Sequence, residues 1–281
     1  TYISQHKIRK AVVVGAGFIG LEMAENLYHV GAQVHIAEKQ EQVMAPIDFS
    51  MAQLVHQHLV EKGVQLHLNE SVIKFVKNDD AILVYFESGK IIEADIVILS
   101  IGVRPEINFI KDSPIKIGES GGIWVDEHLQ TSVKDIYAVG DAIEFPHPIT
   151  GKPWLNYLAN PANRQGRLVA DNMVFGDTEV YEGSIGTSIA KVFDITVASS
   201  GLPEKKLREW NIPFISSWTH SGSHAGYYPG ATQIALKITF DPKDGMLLGV
   251  QGVGYEGVDK RIDQVALLIN LKKTIFDLML V

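Results

Sequence analysis

The sequence predicts an α/β protein, and three observations support that fold class. Residues 10–103 alternate short apolar runs with segments whose apolar residues recur at helical spacing. Residues 104–180 are rich in loops and are punctuated by prolines. Residues 181–281 return to strands and helices, grouped as in an α+β domain. We therefore expect three domains, at residues 1–103, 104–180 and 181–281.

The first domain is predicted to alternate strands and helices, which favours a parallel sheet flanked by helices. An antiparallel meander of three short strands is then predicted, because Asn, Asp, Ser and Gly residues typical of tight turns separate its apolar runs. One more buried strand closes the domain. In order, we expect strand 11–14, helix 18–30, strand 33–37, helix 48–62, strand 64–68, strands 72–77, 81–86 and 90–93, and strand 95–101.

The second domain is expected to hold one short strand at residues 135–139 and one helix from about Pro161 to Val174. A proline suits the first position of a helix, because the N–H that it lacks has no helical partner there.

In the third domain, the turn at residues 241–245 is predicted to join two strands as a hairpin. The predicted strands of that domain are 188–193, 196–200, 214–219, 233–240 and 246–251, and its predicted helices are 203–210 and 257–271.

Composition narrows the function classes. The 281 residues carry a net charge of −8, which argues against nucleic-acid binding because phosphate contacts need a basic face. No apolar run approaches the roughly 18 residues that span a bilayer, so no membrane partner is expected. The chain contains no cysteine, which excludes a disulfide or thiolate metal site within it and fits a cytoplasmic protein. Because the sequence opens on Thr1 and closes on an apolar stretch, we expect a piece of a longer protein.

The sequence GAGFIG at residues 15–20 follows a predicted strand and begins a predicted helix. Gly15 permits a tight turn, Gly17 lets the backbone approach a pyrophosphate, and Gly20 lets the helix pack close to the strand. The free N–H groups and the positive end of the helix then favour phosphate binding. A dinucleotide-binding loop in a Rossmann-like domain is therefore predicted, with a purely structural glycine-rich turn as the alternative.

Glu38 ends the second predicted strand, 21 residues after Gly17. A carboxylate at this position can accept hydrogen bonds from an adenosine ribose and repel a 2′-phosphate, which favours NADH over NADPH. Lys39 follows it and softens that preference, so NADPH stays an alternative cofactor. An exposed surface glutamate is the structural alternative.

Further motifs follow the glycine loop in a fixed order. Together they resemble the flavin-dependent pyridine nucleotide–disulfide oxidoreductases, and the later ones resemble the branch of coenzyme A-disulfide reductases and NADH oxidases. The resemblance covers the whole chain. The motifs that carry it are ILSIGVRP at residues 98–105, TSVKDIYAVGDA at 131–142, ANPANRQGR at 159–167, GTSIAKVF at 186–193, HAGYYPGA at 224–231 and GVDKRID at 257–263.

The resemblance implies a Rossmann-like NAD-binding domain, a partial FAD-domain segment, and an α+β dimerisation domain through which a homodimer forms. In this family the first FAD-binding glycine motif and the redox-active cysteine precede the NAD-binding domain, and this sequence contains neither. The resemblance therefore implies a fragment, incomplete also at its C-terminal end, of a protein whose cofactors are FAD and NADH.

The resemblance also assigns cofactor-binding roles. Asp141, after Gly140, is similar to the aspartate that binds the ribityl chain of FAD. Ala159 lies just before a helix that in the family points its N-terminus at the flavin pyrimidine edge, where reduced flavin is negative. A turn residue and an ordinary surface helix are the respective alternatives. Gly102 would allow the backbone to approach the nicotinamide half.

Three residues at the start of the glycine-loop helix have expected roles by the same resemblance. Phe18 is similar to the aromatic gate that covers the flavin until nicotinamide displaces it, and Ile19 is grouped with it as cofactor-binding. Glu22 is similar to the glutamate that pairs with a lysine of the FAD domain near the hydride-transfer site. It is therefore a candidate catalytic residue, with a solvated helix position as the alternative.

Tyr227 and Tyr228 are the other candidate catalytic residues. In coenzyme A-disulfide reductases a tyrosine of this loop reaches the partner subunit's active site, where a phenol can hydrogen-bond a departing thiolate. Aromatic packing at a dimer interface is the alternative. His224 is interpreted as a loop histidine. Lys260 and Arg261 are expected either to meet phosphates or to be interface or surface charges.

The resemblance implies an enzyme that passes a hydride from NADH via FAD to a small-molecule disulfide such as coenzyme A disulfide, or to oxygen. The alternative is an NADH-binding, dimerising module with no complete activity of its own. The absence of cysteine favours this alternative for the present sequence. A flavin-free NAD-dependent dehydrogenase is a third hypothesis, but it leaves the Gly140–Asp141 motif unexplained.

Overall fold

A computed structural model describes residues 2–280 of the chain. The protein divides into two compact units. The first unit joins the residues up to 102 with those from 189 onward, and the second unit comprises residues 103–188. Among residues 2–280, no helix combines the length and the apolar character needed to cross a bilayer. The division into three domains at 1–103, 104–180 and 181–281 stays a prediction.

The first unit begins with alternating helices and strands, as the sequence predicts. The strand residues Ala11, Val12 and Val13 are fully buried, which is typical of a parallel strand covered on both faces. The helix that follows buries Leu21 and Leu27 on one side. In order, the elements are α1 (Tyr2–Gln5), β1 (Lys10–Val14), α2 (Phe18–His29), β2 (Gln33–Glu38), α3 (Phe49–Glu61) and β3 (Gln65–Leu68).

The predicted meander and closing strand are also present. They are β4 (Val72–Asn78), β5 (Ala81–Phe86), β6 (Ile91–Ala94) and β7 (Ile96–Leu99). The first three pair antiparallel. The fourth pairs parallel with β1, and the parallel sheet has the order β3-β2-β1-β7. The carboxyl ends of all four parallel strands therefore meet at one edge of this sheet.

The second unit differs from its prediction in its strands. It contains β8 (Ile123–Trp124), β9 (Ile143–Pro146) and β10 (Pro153–Trp154), which form a small mixed sheet. The strand predicted at residues 135–139 is wrong, because this segment makes a single isolated bridge through Tyr137 to Gln130. Asp135 has a φ of 62°, a left-handed conformation that is incompatible with an extended strand.

The helix of the second unit is α4 (Ala159–Phe175). It begins two residues earlier than predicted, so that Pro161 occupies the third helical position rather than the first. The proline is tolerated because the N–H groups of the whole first helical turn lack helical acceptors. The expectation that Ala159 lies just before the helix is therefore corrected: it is the first helical residue, and Leu158 is the N-cap.

The C-terminal part of the first unit is the predicted α+β arrangement. Its five strands lie in the sheet in the order 188–192, 195–201, 247–254, 233–240 and 215–222, and the turn at residues 241–245 does join a hairpin. All eight residues of the central strand are buried. A short final helix, closed by a Thr274–Asp277 capping box, was not predicted. The elements are β11 (Ser188–Val192), β12 (Ile195–Gly201), α5 (Glu204–Glu209), β13 (Ile215–Gly222), β14 (Gln233–Phe240), β15 (Leu247–Gly254), α6 (Val258–Asn270) and α7 (Ile275–Leu278).

One hydrophobic core unites the two sequence-distant parts of the first unit. Val55 and Leu59 of α3 lie in the same buried cluster as Val197 of β12 and Val253 of β15. Burial of apolar surface of this kind contributes about 25 cal/mol per Å² removed from water. The parallel sheet and the C-terminal sheet are therefore stabilised by the same set of contacts.

Candidate cofactor-binding site

The glycine loop lies at the carboxyl end of β1, between that strand and α2. Gly15 has a φ of 100°, and its N–H donates to the carbonyl of Ala37 at 2.7 Å. A Cβ at this position would lie 2.0 Å from the carbonyl oxygen of Ser100. Only glycine satisfies both the backbone conformation and this close approach, so the turn that the motif predicts is present.

The other two motif glycines differ in what surrounds them. A Cβ on Gly20 would lie 2.0 Å from the carbonyl oxygen of Gly15, so this glycine lets α2 pack against the loop. Gly17 is the N-cap of α2, with a φ of −75°, and no atom of the described chain lies within 4 Å of a Cβ built on it. The space above Gly17, at the positive end of a 12-residue helix, is open to a ligand.

The structure brings Glu38 directly to this loop. One carboxylate oxygen accepts the N–H of Ala16 at 2.8 Å, and the other accepts the N–H of Gln40 at 2.9 Å. Both bonds orient the carboxylate at the edge of the sheet. The two bonds leave further acceptor capacity on the oxygens, because an ionised carboxylate offers about four lone-pair sites.

The remaining predicted residues of the first domain surround the same edge. Phe18 is half-buried and packs against the hydrophobic core, whereas Ile19 is 59% exposed. Glu22 is exposed on α2, one turn further along. Gly102 follows β7 with a φ of 98° and open space where a side chain would be. Phe18 and Ile19 belong to the glycine loop and Glu22 follows it, whereas Gly102 comes to the same edge because β7 pairs with β1.

Sequence reasoning missed a buried group of charges beside this region. Lys237 of β14 is 2% exposed, and its Nζ lies 2.8 Å from Asp48 Oδ2 and 3.0 Å from Glu204 Oε1. Burial acts to raise the pKa of Asp48, but hydrogen bonds from Lys237 and Gln251 outweigh it and hold the pKa below its ordinary value. We call Asp48, Glu204, Lys237 and Gln251 the buried charge cluster.

In the second unit, Gly140 and Asp141 form a short turn beside α4. The N–H of Gly140 donates to Oε1 of Gln165 at 2.6 Å, and Gln165 is buried inside α4. Asp141 is exposed next to Gly140. Burial, and then the negative charge of Asp141, raise the pKa of Tyr157, which places the aspartate near the segment that leads into α4.

The N-terminus of α4 is exposed and is not capped by a side chain. Ala159 is exposed, and its N-cap makes no side-chain hydrogen bond. The first N–H groups of the 17-residue helix therefore have no capping side chain. The second unit thus combines an exposed carboxylate with an uncapped helix N-terminus.

Tyr227 and Tyr228 lie in a different place, on the turn between β13 and β14. They are 85% and 62% exposed, and their ring centroids are 5.3 Å apart. The base of the turn is closed by a 2.7 Å hydrogen bond from Ser223 N–H to the carbonyl of Thr232. Arg261 donates to the carbonyl of Ser223 at 2.9 Å, so this arginine supports the loop.

Two family profiles match the chain. The profile described as pyridine nucleotide-disulphide oxidoreductase matches residues 1–166. The profile of the dimerisation domain of the same family matches residues 187–281. The two matches correspond to the parallel-sheet region with most of the second unit, and to the C-terminal α+β region.

Three individual proteins are also similar to this chain. Coenzyme A disulfide reductase of Staphylococcus haemolyticus is 35% identical over 277 residues, which is 99% of this chain and 62% of that protein. The crystal structure of reduced Bacillus anthracis CoADR-RHD is 44% identical, with a TM-score of 0.94, and covers 98% of this chain and 49% of that one. An NAD-dependent persulfide reductase from A. fulgidus is 38% identical, with a TM-score of 0.93, and covers 98% of this chain and 51% of that one.

The chain thus spans between about half and 62% of the length of these proteins. The predicted α/β fold class, with a Rossmann-like domain and a dimerisation domain, is confirmed by the profiles and by the structural similarity. The chain belongs to the pyridine nucleotide-disulphide oxidoreductase family.

Proposed function

We propose that this chain is the NADH-binding and dimerising part of a flavin-dependent oxidoreductase that reduces a disulfide such as coenzyme A disulfide. The observation that carries the proposal is the open space above Gly17, with the Glu38 carboxylate hydrogen-bonded to the same loop. The names of two relatives, a coenzyme A disulfide reductase and an NAD-dependent persulfide reductase, support the reaction class.

The glycine loop would hold the pyrophosphate of NADH. The backbone of Gly17 can approach the phosphates because it carries no side chain, and the N-terminus of α2 favours their negative charge. Glu38 would accept hydrogen bonds from the adenosine ribose. Gly102 would leave room for the nicotinamide half, with Phe18 and Ile19 beside it and Glu22 one turn along α2. This arrangement would position the dinucleotide along the carboxyl edge of the parallel sheet.

The second unit would contribute to flavin binding. FAD, when bound, would accept the hydride of NADH and supply electrons to the disulfide. Gly140 and Asp141 would hold its ribityl chain, because an exposed carboxylate suits a row of hydroxyl groups. The uncapped N-terminus of α4 at Ala159 would stabilise negative charge on the flavin ring by roughly 0.3–1 kcal/mol.

The dimerisation domain would bring Tyr227 and Tyr228 to the active site of a second copy. Their high exposure on a supported loop fits a contact that is completed in a homodimer. A phenol there would hydrogen-bond the thiolate that leaves the disulfide. Oxygen is the alternative acceptor.

A second candidate function is an NADH-binding, dimerising module without turnover of its own. The absence of cysteine in the 281 residues favours it, because disulfide reduction in this proposal needs a thiol. A visible spectrum of the purified chain distinguishes the two. Yellow flavin absorbance supports the first candidate, and a colourless chain that binds NADH supports the second.

Gly17→Val is expected to abolish NADH binding by this chain. The valine side chain would occupy the space into which the pyrophosphate would fit, while the backbone φ of −75° suits any residue. Binding is measured by fluorescence titration with NADH, and folding is checked by thermal unfolding. Gly166→Ala, a change into open space on α4, serves as the control. Unchanged binding by folded Gly17→Val would remove the loop from the proposed site.

Glu38→Arg is expected to shift the ratio of NADPH to NADH affinity upward by at least about tenfold, the effect of one charge-assisted hydrogen bond. The arginine replaces a charge that repels a 2′-phosphate with one that attracts it. Glu41→Arg, the same charge change at an exposed position three residues later, is the matched control. Equal ratios in the two variants would show that Glu38 does not contact the ribose.

A further inference from the structure

We infer that residues 39–48, named the connecting segment, position the glycine loop for NADH, and that Lys205 and Gln251 of the dimerisation domain hold this segment in place. The inference rests on the proposed NADH site. It adds to that site two positioning residues, which lie more than 150 positions after the connecting segment in the sequence. Lys205 and Gln251 do not themselves touch the glycine loop in this account.

The connecting segment is bound to the glycine loop at Met44 and to Glu38 at Gln40. The N–H of Met44 donates to the carbonyl of Ala16 at 2.9 Å. Ala16 also donates its own N–H to Glu38, and Glu38 in turn accepts the N–H of Gln40. Both polar backbone groups of Ala16, a member of the GAGFIG loop, are therefore fixed by Glu38 and by the segment that follows it.

The middle of the segment is tied by buried side chains. Gln42 is 8% exposed, and its Nε2 donates to the carbonyl of Ile47 at 2.9 Å. The N–H of Val43 donates to Nε2 of His56 on α3 at 3.0 Å, a bond that requires this nitrogen to be unprotonated. Burial lowers the pKa of His56 and so favours the neutral ring. The N–H of Ile47 also donates to the carbonyl of Met44 at 3.0 Å, so a displacement of Ile47 would be passed to both Gln42 and Met44.

The far end of the segment is bound by the dimerisation domain. Lys205, at the start of α5, donates from Nζ to the carbonyl of Ile47 at 2.8 Å. The side-chain amide of Gln251 on β15 accepts the N–H of Asp48 at 2.7 Å and donates to its carboxylate at 2.6 Å. The segment is thus held between two fixed points, of which one is the proposed nucleotide loop.

Variants of Lys205 test the inference, because this residue is exposed and can be replaced without overpacking the core. Lys205→Met removes the donor to Ile47 and should weaken NADH binding about five- to tenfold, which is less than the full effect of one hydrogen bond from a charged group because the lysine acts on the loop through the segment. Lys205→Arg, which restores a cationic donor, should recover most of the affinity. Lys206→Met is the matched control, because the ammonium of Lys206 contacts exposed Glu209 and the ring of Trp210, which lie on α5 or next to it rather than on the connecting segment.

Hydrogen exchange of the Ala16 and Met44 amides, measured without nucleotide, gives a readout that does not depend on the proposed function. We expect faster exchange of both amides in Lys205→Met than in Lys206→Met, with recovery in Lys205→Arg. Unchanged exchange and unchanged NADH affinity in folded Lys205→Met would overturn the inference. Absence of NADH binding by the wild-type chain would instead refute the proposed function, while the exchange result would still decide whether the segment is held as described.

Discussion

Replacement of Lys237 by methionine is expected to lower the free energy of unfolding by about 3–5 kcal/mol, the usual cost of removing one partner from a buried ion pair. The ammonium lies between the carboxylates of Asp48 and Glu204, and 4.8 Å from the ring centroid of Trp218. Without it, two carboxylates face each other in a region with little water. Part of the loss should be recovered by Asp48→Asn in the same chain, because one of the uncompensated charges is then gone.

Lys206→Met provides the comparison, since its ion pair with Glu209 is partly exposed and should contribute at most about 1 kcal/mol. Urea unfolding of both variants measures the difference in the free energy of unfolding.

The buried charge cluster should also make the stability of the protein depend on pH in the acid range. The pKa values of Asp48 and Glu204 are lowered from 3.8 and 4.5, so their contribution is present above those values and is lost as the pH falls below them. Equal stability of the two lysine variants would contradict this account.

Gly20→Ala is expected to lower the free energy of unfolding by about 1–3 kcal/mol or more, as in other overpacked sites. Its Cβ would lie 2.0 Å from a carbonyl oxygen of the glycine loop, so α2 would have to move away from β1. Gly17→Ala, three residues earlier, should cost no more than about 1 kcal/mol because its Cβ enters open space at an N-cap.

The two glycine variants therefore separate packing from ligand access within one motif. Thermal or urea unfolding measures stability, and NADH titration measures access. We expect Gly20→Ala to lose stability and Gly17→Ala to retain it. Equal losses of stability in both variants would show that the motif glycines do not divide their roles in this way.

The parallel sheet and the glycine loop were predictable because their determinants are local. An apolar strand, three glycines and an amphipathic helix occupy about 20 consecutive residues, and each glycine has a distinct steric requirement. The meander and the C-terminal hairpin were predictable for the same reason, because turn residues separate short apolar runs. The strand β14, predicted at residues 233–240, has those bounds in the structure.

The buried charge cluster was not predictable, because its members are ordinary when considered alone. Asp48 precedes a helix, as many N-cap residues do, and Lys237 lies among alternating residues of a strand. Only the fold brings the two together. Ser100, whose carbonyl oxygen faces Gly15, carries no side-chain signal at all, because its contribution comes from the backbone. By contrast, the Thr274–Asp277 capping box was recognisable from its spacing and was overlooked.

The strand wrongly predicted at residues 135–139 shows how a tertiary constraint overrides local preference. Its apolar residues Ile136 and Val139 favour an extended conformation. The N–H of Thr131 nevertheless bonds to the carbonyl of Ile136 at 2.8 Å, which folds the segment back on itself with Asp135 in the left-handed region. The candidate residues Gly140 and Asp141 follow this turn directly.

The shared core of the first unit has a consequence for synthesis on the ribosome. Asp48 and its partner Gln251 are 203 residues apart, so the partner emerges about 10–40 s later at roughly 5–20 residues per second. During that interval the face of α3 that later meets β15 lacks this native neighbour. This nascent apolar surface, with its uncompensated aspartate, is therefore exposed to aggregation until the C-terminal sheet has been made.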